Sequence, residues 1–382
     1  MRACQLLSAM LSFPFLIQGG STLGADGKAE SKGSWITFLS HKTGDNLLYR
    51  MRPDASDCKP VFGGPIKDAP GIETGMSLYR QPHWSWQSPD RKYFVSWAID
   101  SLRPADKFKF SPSTPNPRFR LHLGRTEGDG LARVITPVCQ EAAAWSPDSK
   151  RLVYAVATER KSSAHTNPPI MTRLYLLAID GTSEDMIFEQ PGYWTPVDWS
   201  PDGQKLLLAH GETISIKAGL MSSVLVELDM ATIEKMLNHP RQKSFGRWQN
   251  SDTKELLEPV LGDAALVRPN DARYSPNGKF TAVTAIRKAE KPGVEWKALD
   301  FELGVIERAT AKYKKLAWFK EGLRGPISWS PDGTEILFSR PLSPGDEREA
   351  WKEEGTGFGL WAIGLDGSGL RFLTTGWSPD WR

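Results

Sequence analysis

A motif of an aromatic residue followed by Ser-Pro and then Asp or Asn recurs along this chain, and this repetition constrains the fold more than any other feature. Proline presets φ at the second position of a turn, Asp and Asn hydrogen-bond nearby backbone amides, and a following glycine relieves the end of the turn. Each copy therefore predicts a hairpin turn, with the first copy widened by Gln87. The aromatic residues that open the copies are Trp86, Trp145, Trp199, Tyr274, Trp329 and Trp377.

Short apolar runs accompany each motif. A run such as Leu206–Ala209 follows the turn directly, a second run ends in another turn, and a third run closes the repeat unit. Consecutive motif prolines lie between 48 residues (Pro331 to Pro379) and 75 residues (Pro201 to Pro276) apart. With the strand that enters the motif, each unit has four strands, which is the composition of a β-propeller blade.

The two ends of the chain complete one blade between them. The segment Trp35–Gly63 lacks a first strand, whereas the last motif, Trp377–Asp380, has a first strand and nothing after it. Pairing the two removes open sheet edges. We therefore predict an all-β chain folded as a six-bladed β-propeller of four-stranded blades, closed by a blade shared between the N and C termini. The predicted blades cover residues 34–64 with 375–382, 83–138, 142–191, 196–262, 271–316 and 326–374.

The Trp-Ser-Pro-Asp-Gly hairpins at Trp199 and Trp329, the Asp-Gly turns and the shortened last copy at Trp377 resemble the TolB-type, WD40-like propeller repeats. The resemblance covers roughly residues 34 to 382 and implies a propeller fold. In TolB an α/β domain precedes the propeller and needs about a hundred residues, whereas only a leader precedes Trp35 in this sequence. Because such repeats occur in binding proteins, in peptidase-associated domains and in a few lyases, the resemblance leaves the function open.

The amino terminus has the layout of an export signal. Arg2 precedes the apolar run Leu6–Ile17, and small residues follow that run. We predict a signal peptide over residues 1–24, a linker over residues 25–33, and a periplasmic or extracellular protein. A buried N-terminal strand or a disordered leader is the alternative. The apolar run is too short to cross a bilayer, so no membrane span is predicted.

Composition and spacing also exclude several classes of function. A net charge of +3, from 48 basic and 45 acidic residues, is too small for nonspecific nucleic-acid binding. The six histidines show no His-x-His or His-Glu-x-x-His spacing, and there is no Gly-x-Ser-x-Gly elbow. We therefore assign no catalytic residue, no metal ligand and no cofactor, although a metal site built by histidines from several blades, as in some lyases with similar repeats, stays open. After export, Cys58 and Cys139 either pair or stay as thiols.

Long connections between second and third strands indicate the binding face. They span residues 100–118, 158–172, 287–297 and 340–357, at the end of the blades opposite the motif turns, and loops on a rigid scaffold commonly carry binding residues. The entries of the innermost strands add aromatic and charged side chains at the predicted channel mouth, which suits saccharide or peptide recognition. These candidate binding residues are His83, Trp84, Glu141, Trp194, Asp198, Asp271, Arg273 and Arg324.

We therefore predict an exported, non-catalytic propeller scaffold whose channel-mouth face binds a protein, a peptide or a cell-envelope glycan. Ordinary contacts between blades are the alternative explanation of the candidate binding residues. A propeller enzyme, a carbohydrate lyase or hydrolase with residues drawn from several blades, is the alternative function. The motif aromatics are expected to fill the space between adjacent blades. A short helix is predicted over residues 231–237, within the longest repeat interval, and the oligomeric state is left undetermined.

Overall fold

The computed structural model describes most of the repeat region, and every described residue belongs to one compact unit that begins at Ser34. The described residues form 24 strands and one short helix, so the prediction of an all-β chain is confirmed. The structure describes residues 34–40, 47–60, 85–99, 119–125, 133–134, 143–159, 170–215, 220–237, 253–255, 265–287, 300–320, 323, 326–342 and 357–381.

The first three sheets are built from consecutive strands. The first sheet begins with Ile36–Ser40 (β1), Leu47–Met51 (β2) and Lys59–Pro60 (β3). The second sheet contains Ser85–Gln87 (β4), Tyr93–Ile99 (β5), Phe119–Arg125 (β6) and Arg133–Val134 (β7). The third sheet contains Ala143–Trp145 (β8), Arg151–Glu159 (β9), Ile170–Ala178 (β10) and Glu184–Pro191 (β11).

The remaining sheets follow the same plan. The fourth contains Tyr193–Trp199 (β12), Lys205–Ser215 (β13), Leu220–Asp229 (β14) and Thr253–Glu255 (β15), with the helix Met230–Leu237 (α1) between its last two strands. The fifth contains Ala265–Tyr274 (β16), Phe280–Arg287 (β17), Asp300–Glu307 (β18) and Lys312–Phe319 (β19). The sixth contains Ser328–Trp329 (β20), Glu335–Pro341 (β21), Phe358–Gly364 (β22) and Arg371–Thr375 (β23). The last strand, Trp377–Trp381 (β24), returns to the first sheet.

Each of these six sheets, counted over the described ranges, has four antiparallel strands. The prediction of four-stranded antiparallel units is therefore confirmed. The short helix predicted over residues 231–237 is also confirmed, since α1 occupies Met230–Leu237. Its first turn is anchored by Asp229, whose carboxylate accepts the amide of Ala231 at 2.8 Å, as expected of a residue that caps a helix.

The motif turns share one hydrogen-bond pattern. In one copy the Ser200 hydroxyl donates to Asp202 Oδ1 at 2.6 Å and accepts the Lys205 amide at 2.8 Å. The Asp202 carboxylate also accepts the Gln204 amide at 3.0 Å. Gly203 adopts a left-handed backbone with a φ of 74°, which glycine reaches without steric cost. Equivalent contacts form in the copies at Ser88, Ser146, Ser275 and Ser330, so the predicted turn is confirmed there.

The last copy of the motif differs from these five. Its residues form β24, which runs antiparallel to β1 with Ile36 opposite Trp381 and Leu39 opposite Trp377. The prediction of a hairpin turn around Asp380 is therefore wrong, because Asp380 lies in the ladder of the first sheet. The predicted pairing between the two ends of the repeat region is observed.

Four of the buried motif aromatics pack against the sheet that precedes them in the chain. Trp145 packs with Val95 of the second sheet, and Trp329 packs with Phe301 of the fifth. Large aromatic side chains contribute much of the apolar area that a core buries. These side chains thus hold adjacent sheets together, as the repeat pattern predicts. The same arrangement is made by Trp199 against the third sheet and by Tyr274 against the fourth.

Replacing Trp381 with alanine tests how strongly the pairing of the two chain ends stabilises the fold. Trp381 is only 6% exposed and packs with Ile36 and Phe38, so we expect the free energy of unfolding to fall by about 3–5 kcal/mol. Trp318→Ala is the matched control because Trp318 is 50% exposed, and we expect it to lose less than about 1 kcal/mol. Chemical denaturation measures both losses, and equal losses in the two variants would contradict the assignment.

The motif carboxylates predict how stability depends on pH. The hydrogen bond from Ser200 holds the pKa of Asp202 below its ordinary value, and the bond from Ser330 does the same for Asp332. A carboxyl pKa that is lowered by folding adds stability that is present above the unfolded pKa, near 3.8, and is lost as the pH falls through the folded pKa. We therefore expect the melting temperature to fall as the pH drops below about 4.

A double variant isolates the contribution of these two carboxylates to the acid limb, which is the fall of the melting temperature below about pH 4. Asn277 makes the same turn contacts in its own copy, with Ser275 at 2.8 Å and the Lys279 amide at 3.0 Å. Asp202→Asn combined with Asp332→Asn should therefore keep the turns and flatten the acid limb, which thermal melts followed by circular dichroism measure. An acid limb as steep as that of the unaltered protein would show that these carboxylates do not cause it.

Candidate functional site

The structure describes the side chains of Trp194, Asp198 and Arg273 among the predicted binding residues. Asp271 lies in β16, where only its backbone is described. The other predicted binding residues fall outside the described part of the chain, as does most of each long connection, and their role stays a prediction. These residues are His83, Trp84, Glu141 and Arg324.

Asp198 and Arg273 form an ion pair between the first strands of the fourth and fifth sheets. Asp198 Oδ1 lies 3.3 Å from Arg273 Nη1, and Asp198 Oδ2 accepts the amide of Tyr274 at 2.8 Å. Arg273 also donates to the carbonyl of Val197, and its own carbonyl accepts the indole N–H of Trp329 at 3.0 Å. The two side chains are only 21% and 16% exposed. In the described structure this pair links β12 to β16, and ligand binding by either residue stays a prediction.

A second polar cluster joins the same two sheets, and the sequence analysis missed it. Glu227 on β14 accepts the hydroxyl of Tyr274 at 2.8 Å and the guanidinium of Arg308 at 2.7 Å. Arg308 also donates to the carbonyl of Gly278 at 3.0 Å and lies 4.7 Å from the centroid of the Tyr274 ring. Burial, followed by the charge of Glu227, raises the pKa of Tyr274 well above its ordinary value. Tyr274 therefore stays neutral, and its hydroxyl donates a hydrogen bond to the Glu227 carboxylate.

Trp194 forms a partly exposed aromatic platform near the start of β12. Its ring stacks on His210 with centroids 3.9 Å apart and planes 13° from parallel, and it meets Phe188 of β11 edge to face at 4.9 Å. The indole N–H donates to the carbonyl of Pro191 at 2.9 Å, and the Trp194 amide donates to Thr172 Oγ1 at 3.2 Å. These contacts from two sheets fix the orientation of the ring.

The absence of a side chain at Gly192 leaves room for the imidazole of His210 in this platform. Its φ is 93°, and a Cβ at this position would lie 2.9 Å from Nε2 of His210. Any larger residue would strain the backbone and displace the imidazole. The sequence predicts Trp194 as a binding residue but not His210, because their contact depends on the β12–β13 register, which places the two residues opposite each other.

A cleft of about 460 Å³ lies at the opposite end of the strands, between the fifth and sixth sheets. The ammonium group of Lys314 spans it and donates to the carbonyl of Leu365 at 3.2 Å. The wall of the cleft is mixed, with apolar side chains beside two lysines and two carboxylates. Its lining residues are Phe280, Val305, Glu307, Lys312, Tyr313, Lys314, Leu365 and Asp366.

The described residues contain neither a cluster of metal-ligating side chains nor a membrane-spanning helix. No three His, Cys, Asp or Glu side chains within the described ranges are grouped closely enough to hold a metal ion. Among the described residues there is also no helix of sufficient length and apolar character to cross a membrane.

No family model and no curated protein matches the sequence. Among solved structures, TolB from Acinetobacter baumannii superposes with a TM-score of 0.53 at 15% identity, over 91% of this chain and 66% of TolB. A chain in a nidogen–laminin complex gives a TM-score of 0.50 at 9% identity, over 91% of this chain and 98% of that one. An oligogalacturonate lyase in complex with manganese gives 0.48 at 11% identity, over 90% and 74%.

The chain has a TolB-type β-propeller fold. The resemblance noted in the repeats is therefore confirmed at the level of the fold. The chain spans 66% of the length of the TolB structure, and at 15% identity the likeness extends to the fold alone. What the TolB-type scaffold binds has to be argued from the side chains of this chain.

Replacing Glu227 with alanine tests whether the buried cluster holds the fourth and fifth sheets together. The Glu227 side chain is only 4% exposed, and its loss leaves Arg308 and Tyr274 without their shared acceptor, so we expect a loss of about 3–5 kcal/mol in unfolding free energy. Glu234→Ala is the control because Glu234 pairs with Arg151 at 3.2 Å while 55% exposed, and such pairs contribute less than about 1 kcal/mol. Urea denaturation that ranks the two variants equally would contradict this role.

Proposed function

We propose that this protein is an exported, non-catalytic β-propeller scaffold that binds a protein, a peptide or a cell-envelope glycan on the face opposite the motif turns. The observation that carries the proposal is the platform formed by Trp194 and His210. It combines an aromatic ring that is partly open to solvent with contacts that prevent the ring from reorienting. A preorganised aromatic surface loses little entropy when a ligand binds.

The proposed architecture places this platform at the mouth of a closed ring. Six described sheets, with β24 completing the first of them, support a six-bladed propeller in which one blade is shared between the two chain ends. First strands contact each other from β8 through β12 to β16, and from β20 through β24 to β4. These contacts support an arrangement in which the first strands lie innermost.

The position of the platform favours ligand binding over a purely structural role. Trp194 lies near the start of β12, at the end of the strand away from the motif turn at Ser200. Its amide is held by Thr172, near the start of β10 and next to the connection from β9. The aromatic ring therefore lies at the strand ends opposite the motif turns, and aromatic rings are common anchors for sugars and for apolar side chains of peptides.

The proposal of export rests on the signal peptide predicted over residues 1–24, and a cell-envelope glycan is among the ligands that an exported protein would meet. An enzyme of the carbohydrate lyase or hydrolase type is the alternative, and the same experiment tests it. The charged residues described near the inner strands are already engaged with one another, as in the pair of Asp198 with Arg273. That engagement favours a binding role for this region, because a general acid or base needs access to its substrate.

The decisive experiment compares ligand binding by two tryptophan variants of the purified mature protein. Cell-envelope glycan fragments and peptides are titrated by calorimetry, and product formation is followed in the same samples. We expect Trp194→Ala to weaken binding of the selected ligand about tenfold or more, while Trp194→Phe, which keeps a ring, loses less. Leu370→Ala removes an exposed apolar side chain elsewhere and leaves this affinity unchanged.

Two results would overturn the proposal. Turnover of a glycan by the purified protein would make it an enzyme. Ligand binding that is the same in Trp194→Ala and in the unaltered protein would move the binding site away from the platform.

A further inference from the structure

The outer strand of the fifth sheet forms a second surface, separate from the platform at Trp194. We propose that the edge of β19 is a docking site for an acidic, extended segment of a partner protein. In the described structure β19 is the terminal strand of its sheet, paired with β18 on one side only. A terminal strand offers backbone N–H and C=O groups to an added strand.

The charge of this strand defines the chemistry of its partner. The sequence from Lys312 to Lys320 contains four lysines and no acidic residue, and all four lysines are exposed. Within the described ranges, the ammonium groups of Lys312, Lys315 and Lys320 make no ion pair. They are therefore available to carboxylates of a bound segment.

The register of the strand favours an extended peptide as the ligand. Lys312 and Lys314 lie opposite Glu307 and Val305, on the side of the sheet that faces the sixth sheet. Lys315 and Trp318 lie opposite Gly304 and Glu302, on the other side. An added strand also alternates its side chains between the two faces, so its acidic residues meet lysines on both. Opposite charges on paired strands contribute favourably to pairing.

A flat anionic surface fits this arrangement less well. A membrane would contact cations and an indole only if they shared one face, whereas the lysines of β19 divide between two. Binding to a membrane or to an anionic glycan in place of the peptide would therefore overturn the proposal.

Protection of an open sheet edge explains lysines but not the rest of this surface. Charged residues and bulges commonly prevent edge-to-edge aggregation, and β19 has both, with a register shift near Leu316. Protection does not explain why Trp318 is 50% exposed beside the lysines. It also does not explain the cleft of about 460 Å³ next to Lys312 and Lys314.

The cleft indicates that the docked segment also carries an apolar side chain. Phe280, Val305 and Leu365 line it, so it accommodates an apolar side chain of the docked segment. Its carboxylates are engaged in their own turns: Glu307 accepts the Thr310 hydroxyl at 2.6 Å, and Asp366 accepts the Ser368 amide and hydroxyl at 2.9 and 2.7 Å. The segment that fits combines acidic residues with at least one apolar residue.

The test uses a fluorescent peptide of repeated Glu-Glu-Val-Val units, which carries carboxylates on both faces of an extended strand. It is titrated with the purified protein at low salt and followed by anisotropy. We expect saturable binding that weakens as salt is added, because the attraction is between exposed charges. Lys312→Gln combined with Lys315→Gln should weaken binding about tenfold, as should Trp318→Ala. Lys279→Gln is the matched control, since Lys279 is an exposed lysine in a motif turn and its loss should leave the affinity unchanged.

A second peptide tests the mode of binding. Methylation of alternate backbone nitrogens removes amide donors and keeps the charges, so strand addition predicts that the methylated peptide loses affinity at least about tenfold. Equal affinity of the methylated peptide would overturn docking by strand addition. Binding to phosphatidylglycerol vesicles or to an oligogalacturonate, with no binding of the peptide, would overturn the proposal as a whole. Equal loss of affinity in Lys279→Gln would overturn the assignment to β19.

Discussion

The sheets of this protein depend on the serine hydroxyl of the repeated motif. In each of five copies, this group accepts the amide five residues ahead and donates to the Asp or Asn two residues ahead. The hydroxyl thus closes the turn between a first and a second strand. Because the aromatic residue immediately precedes the serine in four of these copies, the turn also positions the side chain that packs against the preceding sheet.

The fold was predictable because a turn requires particular residue types at particular positions. Proline, Asp or Asn, and glycine mark the same turn in the copies at Ser200, Ser275 and Ser330. The copies at Ser88 and Ser146 use Arg91 and Ser149 at the left-handed position, with φ of 62° and 61°, and the turn still forms. The last copy was mispredicted as a turn because its structure depends on pairing with β1, and local residue preferences contain no information about that distant strand.

The candidate site was predicted only in part, because its contacts depend on the strand register and on side chains far apart in sequence. Glu227 stands in an apolar stretch of β14, and a charge there was the available signal of a buried partner. Its partner Arg308 lies 81 positions away, and no local pattern joins them. Trp194 was predicted from its place at a strand entry, whereas its contact with His210 follows from a register that the sequence did not reveal.

The pairing of β1 with β24 has a consequence for the order in which the chain folds. Thr37 and Asp380, which share a hydrogen bond at 3.3 Å, are 343 positions apart. During synthesis β1 emerges early. Its second neighbour in the sheet, β24, emerges only after the strands of all the other sheets. Contacts of such long sequence separation slow folding, and an unpaired strand edge promotes aggregation during the delay. Correct folding of this protein therefore depends on keeping the nascent first sheet away from other chains until the last strand is synthesised.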